Sequence, residues 1–196
     1  MGAGQGGDPC QWNPPDENGT ATIPAGETSI PGKAYFGCTS LVWISIPDSV
    51  TTIGDAAFSG SSLQQVAIPA SVKDIPYRAF YKCNLEVITI DGVITIGEEA
   101  FYSNPIQILK GPEVEIIGKS AFKNAQKMSE VKLPKVKEIQ DNAFESSFAM
   151  GATVSWGSQL ETIGADAFRS TEMICAKESQ PDIFEKADYL QNSGGP

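Results

Sequence analysis

The feature that most constrains this chain is a motif repeated at a nearly fixed period. Its plainest copy is Val50-x-x-Ile53-Gly54-x-x-Ala57-Phe58, and its marker is an alanine followed by an aromatic ring. The pair recurs as Ala34-Tyr35, Ala57-Phe58, Ala79-Phe80, Ala100-Phe101, Ala121-Phe122, Ala143-Phe144 and Ala167-Phe168. Successive rings lie 23, 22, 21, 21, 22 and 24 residues apart. A short supersecondary unit repeated at this period cannot bury its apolar face alone, so it must stack on its copies as a solenoid.

Each repeat reads as one coil with three inward-pointing segments. Leu41-x-x-Ile44-x-Ile46-Pro47 opens the clearest coil, and its Ile-x-Ile alternation predicts a short strand buried on one face. The same frame gives Leu63-x-x-Val66-x-Ile68-Pro69, Leu85-x-x-Ile88-x-Ile90 and Met128-x-x-Val131-x-Leu133-Pro134. Strands are expected near 44–46, 66–68, 88–90, 109–111, 131–133 and 154–156. Proline after the strand stops the ladder because it has no N–H to donate. The Val-x-x-Ile step adds two inward apolar groups. A single helical turn, Asp55-Ala56-Ala57-Phe58 in the second coil, is then expected to cross the outer face. Stacking would place the seven aromatic rings in one internal column.

This pattern resembles the BspA-type leucine-rich repeat, whose consensus runs close to L-x-x-I-x-I-P-x-x-V-x-x-I-G-x-x-A-F-x-x-C. The match spans about residues 20 to 178, and Leu63 to Cys83 carries most of it. The resemblance implies an α/β fold: a right-handed leucine-rich-repeat solenoid with a parallel β-sheet on its concave side and short helical turns outside. It also implies a non-enzymatic protein-binding module used in recognition and adhesion on microbial surfaces.

Composition bounds the partners. The 196 residues suffice for one domain with a continuous core. A net charge of −10 argues against nucleic acid, whose phosphates need a basic face, and no apolar run approaches the roughly 18 residues of a membrane span. Lys119, Lys123, Lys127, Lys132, Lys135 and Lys137 gather locally, but Glu130 and Glu138 interleave with them, as on a solvated mixed-charge face.

Residues 1–19 are rich in glycine and proline and read as a flexible arm, with Trp12 placed to cover the first coil. They lack the apolar stretch of a signal peptide. Gly2-x-Gly4-x-x-Gly7 has dinucleotide-loop spacing without the flanking strand and helix that would give it meaning. Asn18-Gly19-Thr20 is a glycosylation acceptor only in a secreted eukaryotic chain. Residues 20–178 form the solenoid, and 179–196 are expected to supply a capping helix, with Ile183, Phe184, Ala187 and Leu190 on one face, and a tail. Two strands break the pattern. Gly111 stands where Ile46, Ile68 and Ile90 point inward and should loosen its coil. Trp156 occupies the same column within the longest repeat, which should expand to hold the indole.

Catalytic chemistry has little to work with. There is no histidine, the commonest general base and neutral metal ligand. Asp55, Glu98, Asp141 and Asp166 recur just before the Ala-aromatic pair, where they would cap the helical turns. No cofactor or metal is expected. Cys10, Cys38, Cys83 and Cys175 show no C-x-x-C spacing. Cys38 and Cys83 share a small-residue turn position with Ser61, Asn104, Ala125 and Ser147. Cys83 and Cys175 would sit about 19 Å apart at the strand spacing, too far for a bridge. Cys10 and Cys38 could meet at the N-terminal cap, and in an oxidising compartment theirs is the one pairing expected.

The outward side chains of the strands are free of core duty. One column reads Trp43, Gln65, Val87, Ile108, Glu130, Thr153, and the other Ser45, Ala67, Thr89, Lys110, Lys132, Ser155. The candidate binding residues are Trp43, Gln65, Val87, Ile108, Lys110, Glu130 and Lys132. Exposed apolar groups on a sheet mark interfaces, yet Trp and β-branched residues also favour strands for their own sake, and both readings fit these columns. Two roles follow: a cell-surface or secreted adhesion module if Met1 is an added start, or a cytoplasmic scaffold subunit of a larger assembly if it is native. Either way the expected partner is a protein, of unknown identity.

Overall fold

The computed structural model describes residues 10–171. Fourteen strands follow one another, alternating long and short: β1 Thr20–Thr22, β2 Ser29–Ile30, β3 Trp43–Ser45, β4 Thr52–Ile53, β5 Gln65–Ala67, β6 Asp74–Ile75, β7 Val87–Thr89, β8 Thr95–Ile96, β9 Ile108–Lys110, β10 Ile116–Ile117, β11 Met128–Leu133, β12 Glu138–Ile139, β13 Phe148–Trp156 and β14 Thr162–Ile163. Every pairing is parallel and joins a strand to its counterpart one coil away, which makes a β-solenoid of about seven coils. From β3 to β13 the odd-numbered strands are the expected ones: β3, β5, β7 and β9 lie one residue earlier, and β11 and β13 end as expected but begin three and six residues sooner. The even-numbered ladder is new: the Val-x-x-Ile step forms a second strand as well as an apolar contact.

Tyr35, Phe58, Phe80, Phe101, Phe122, Phe144 and Phe168 stack in a single buried column. Neighbouring centroids are 5.0 to 5.6 Å apart and planes lie within 9° of parallel. The spacing follows from the ~4.8 Å strand separation, which delivers one ring per coil at offset-stacking distance. Trp12 closes the N-terminal end, its indole edge-on to Tyr35 at 5.7 Å. The Tyr35 hydroxyl donates to Asn13 O, and burial pushes its pKa up to about 12. A Cys10–Cys38 disulfide fixes the same cap to the first coil.

The outer segments correct the expected helical turns. The described residues contain no helix, so the fold is all-β rather than α/β. In the turn before each aromatic, one residue takes positive φ: Lys33, Ala56, Arg78, Glu99, Ser120, Asn142 and Asp166. Four residues further on a second does so: Gly37, Gly60, Lys82, Ser103, Asn124, Ser146 and Ser170. The chain therefore makes successive tight turns, with Ala57 N bonded to Gly54 O and Ser59 N to Ala56 O. The amides between them reach the next coil, Ala56 N to Tyr77 O and Phe58 N to Ala79 O. This third ladder runs unbroken from Tyr35 N–Ala57 O to Phe144 N–Ala167 O. Asp55, Glu98, Asp141 and Asp166 accordingly cap no helix. Asp141 instead accepts from Ala165 N on the next coil at 2.7 Å. The capping helix expected at 179–196 lies outside the described residues.

The small-residue turn position does more than save space. Cys83 Sγ, Asn104 Nδ2 and Ser147 Oγ donate to the carbonyls of Phe58, Phe80 and Phe122, the aromatic residue one coil earlier, at 3.1, 2.7 and 2.6 Å. They supply donors that buried carbonyls require. Cys83 is an unpaired thiol, pushed up to about 11 by burial. Cys175 lies outside the described residues.

Gly111 does not loosen its coil. A β-carbon there would come within 2.6 Å of Val114 Cγ2 and 3.0 Å of Leu133 Cδ2, so neighbouring side chains already fill the place. Trp156 does require expansion. Residues Met128 and Glu130 pair with Phe148 and Thr153, so four residues of β13 oppose the single Ser129. Met150 stands out at the crest of this bulge, while Trp156 packs on Phe144 and Phe168 at 5.6 and 5.8 Å.

Candidate functional site

The candidate site begins with the odd-numbered strands, whose alternate residues leave the core by the period-two geometry of a strand. Trp43 sits beside Gln65 in register, and Val87, Ile108 and Glu130 follow one another across β7, β9 and β11. Thr89, Lys110 and Lys132 form the parallel column. Trp43 is 38% and Val87 51% exposed, whereas Ile108 is half-buried. Lys132 Nζ holds Glu130 at 2.6 Å, and that hydrogen bond keeps the Glu130 carboxyl below its ordinary range. The basic end of the columns is thus partly neutralised within itself.

The seven residues do not form one continuous sheet face. The odd-numbered strands divide into β1-β3-β5 and β7-β9-β11-β13, with no ladder between β5 and β7. Within the second sheet Ile90 N bonds Lys110 O at 2.9 Å and Ile108 N reaches Glu86 O at 3.4 Å. Their counterparts one coil earlier, Ile68 N to Thr89 O and Val87 N to Gln64 O, are not made. The even-numbered ladder is interrupted one coil away, between β4 and β6. There the cause is plain: Gly54, Gly97, Gly118, Gln140 and Gly164 each donate N–H to the preceding coil's isoleucine carbonyl, but Pro76 has none to give. Residues 63–84 are therefore held by the first ladder on one side, the second on the other, and the outer turns on both.

The gap between β5 and β7 opens as a groove of about 620 Å³. Trp43, Gln65 and Val87 line it, joined by Gln64, Glu86 and Asp91. Ile108, Lys110, Glu130 and Lys132 lie outside it, on the continuous sheet beyond. Sequence reading missed Gln64, Glu86 and Asp91 because they flank the strands rather than occupy the outward columns. The signal available was the lost hydrogen-bond donor at Pro76, which falls in the coil that has a ladder break on each side.

The BspA type leucine rich repeat region model matches in six copies, over residues 28–151 and 95–185. The chain belongs to the BspA-type leucine-rich repeat family. Repeats of this family generally mediate protein–protein interaction. Among solved structures, the leucine-rich repeat protein of T. pallidum aligns over 91% of this BspA-type chain and 86% of its own, with a TM-score of 0.67 at 23% identity. Leucine-rich repeat proteins of Eubacterium ventriosum and Bacteroides ovatus give TM-scores of 0.57 and 0.52 at 18% and 23% identity. Those alignments cover 78% and 76% of this chain, which spans about half of each of theirs (51% and 48%). The likeness is one of fold. A comparison with curated protein sequences finds no match. No group of metal-ligating side chains gathers among the described residues, and no helix among them is long and apolar enough to cross a membrane.

Proposed function

We propose that this BspA-type repeat protein binds a protein partner through the outward columns of its odd-numbered strands, as a cell-surface or secreted adhesion module. The observation that carries the reading is the exposure of Trp43 and Val87 on a sheet face where the core needs neither. Apolar and aromatic anchors at the centre of such a patch usually dominate affinity. Gln65, Ile108 and Glu130 extend the contact along the column, and Lys110 and Lys132 give it a basic end. The Cys10–Cys38 disulfide favours the extracellular setting over the cytoplasmic scaffold, because such bridges persist in oxidising compartments.

The test compares pull-downs from the native source with wild-type protein, with Trp43→Ala and with the Val87→Ser/Ile108→Ser double variant. Each variant must first reproduce the wild-type melting curve. Trp43→Ala should cost about 2 kcal/mol or more of binding, the usual loss at an aromatic hot spot. If both variants keep every partner while changes on the outer turns abolish binding, the strand face is the wrong surface.

A further inference from the structure

We infer that the groove between β5 and β7 receives an extended partner segment carrying two basic residues, about four positions apart, around an apolar one. This rests on the proposed use of the strand face and adds the chemistry of what it recognises. Glu86 and Asp91 stand at opposite ends of β7, on the groove wall. They are five positions apart, about 16 Å along extended chain. Glu86 has one polar side-chain contact, with Gln107 Nε2 at 3.4 Å, and neither carboxylate forms an ion pair among the described residues. In this they match most exposed carboxylates of the solenoid, and differ from those already engaged. Glu99, Glu113, Glu115, Glu130 and Glu145 are each held by a lysine or arginine.

No lysine or arginine lines the groove among the described residues, and the whole chain carries −10, so its long-range field favours a cationic visitor. Between the carboxylates the exposed Trp43 and Val87 offer an apolar middle. A tryptophan face is also the best aromatic partner for a guanidinium. The main chain contributes as well, because the amides of Ile68 and Val87 do not make the bonds that would continue the ladder. The groove does not admit a full extra strand. Cα atoms of β5 and β7 approach within 8 Å, whereas an inserted strand needs about 9.6 Å, twice the ladder spacing. The visitor lies over the groove, its side chains reaching the carboxylates at either end.

The experiment measures binding of an acetylated, amidated Gly-Arg-Ser-Leu-Ser-Arg-Gly peptide by titration calorimetry at low and high salt, with the Arg-to-Glu and Arg-to-Gln peptides beside it. Glu86→Gln/Asp91→Asn is compared with Glu27→Gln/Asp48→Asn, which removes the same charge from exposed sites outside the groove. Selective binding of the arginine peptide is expected, weakened at least tenfold by the groove variant, less than twofold by the control variant, and weakened by salt. Equal loss in both variants means attraction to net charge alone and overturns the inference. So does tighter binding of the glutamate or glutamine peptide, or no binding at all. The native partner separates this inference from the reading beneath it. A partner lost with Trp43→Ala but kept by Glu86→Gln/Asp91→Asn leaves the strand face standing and the cationic segment refuted, whereas a partner kept by both refutes the two together.

Discussion

At the scale of single residues, the aromatic column concentrates the stability of the solenoid. Phe101 is fully buried and stacks on Phe80 at 5.2 Å and Phe122 at 5.3 Å. The coil of Phe101 is pinned to the coil before it by two ladders and to the coil after it by three, so they cannot close over a missing ring. Phe101→Ala should cost about 3–5 kcal/mol in urea unfolding, the range for buried aromatics. A loss below about 1 kcal/mol would mean that the column is not the core. This much was legible beforehand, because a fixed period delivers identical residues to identical places whatever the backbone does between them. What the period does not encode is donor and acceptor chemistry. Asn104 and Ser147 look merely small in the sequence, yet each fills a hydrogen-bonding place facing a buried carbonyl of the coil before.

At the scale of elements, the outer segments decide between α/β and all-β. Short alanine-rich stretches with an acid in front read as helical turns, since propensity favours that conformation. The coil is too tight for it: an amide that must reach the next coil cannot also close a helical bond, and positive-φ residues turn the chain instead. Sequence hid this because lysine, arginine, serine and glutamate occupy most of those positions, with glycine in only two coils. Ser103 has φ 52° at the position that Gly37 and Gly60 hold in other coils. Ser103→Gly should therefore leave stability unchanged or raise it by about 0.5–1 kcal/mol, and Ser103→Val should lower it by about 1–2 kcal/mol. Thermal melts showing the opposite order would restore the helical reading. The same conflict between pattern and hydrogen bonding appears at Pro76, where the repeat keeps its apolar spacing and the backbone loses its bond.

At the scale of the whole molecule, two sheets that a perfect repeat would have kept continuous are each divided, at adjacent junctions either side of residues 63–84. The outward columns were readable from strand alternation, so Trp43, Gln65 and Val87 lie at the groove and Ile108, Lys110, Glu130 and Lys132 on the sheet beyond it. The groove itself was not readable, because register between coils depends on bonds that no single coil contains. Residue-resolved amide hydrogen exchange of the free protein tests this directly. Ile68 and Val87 should exchange much faster than Ile90 and Ile108, their bonded counterparts one coil on, and should gain protection when a segment occupies the groove. Protection of Ile68 and Val87 equal to that of Ile90 and Ile108 in the free protein would mean that the ladder is continuous and that no groove divides the sheet.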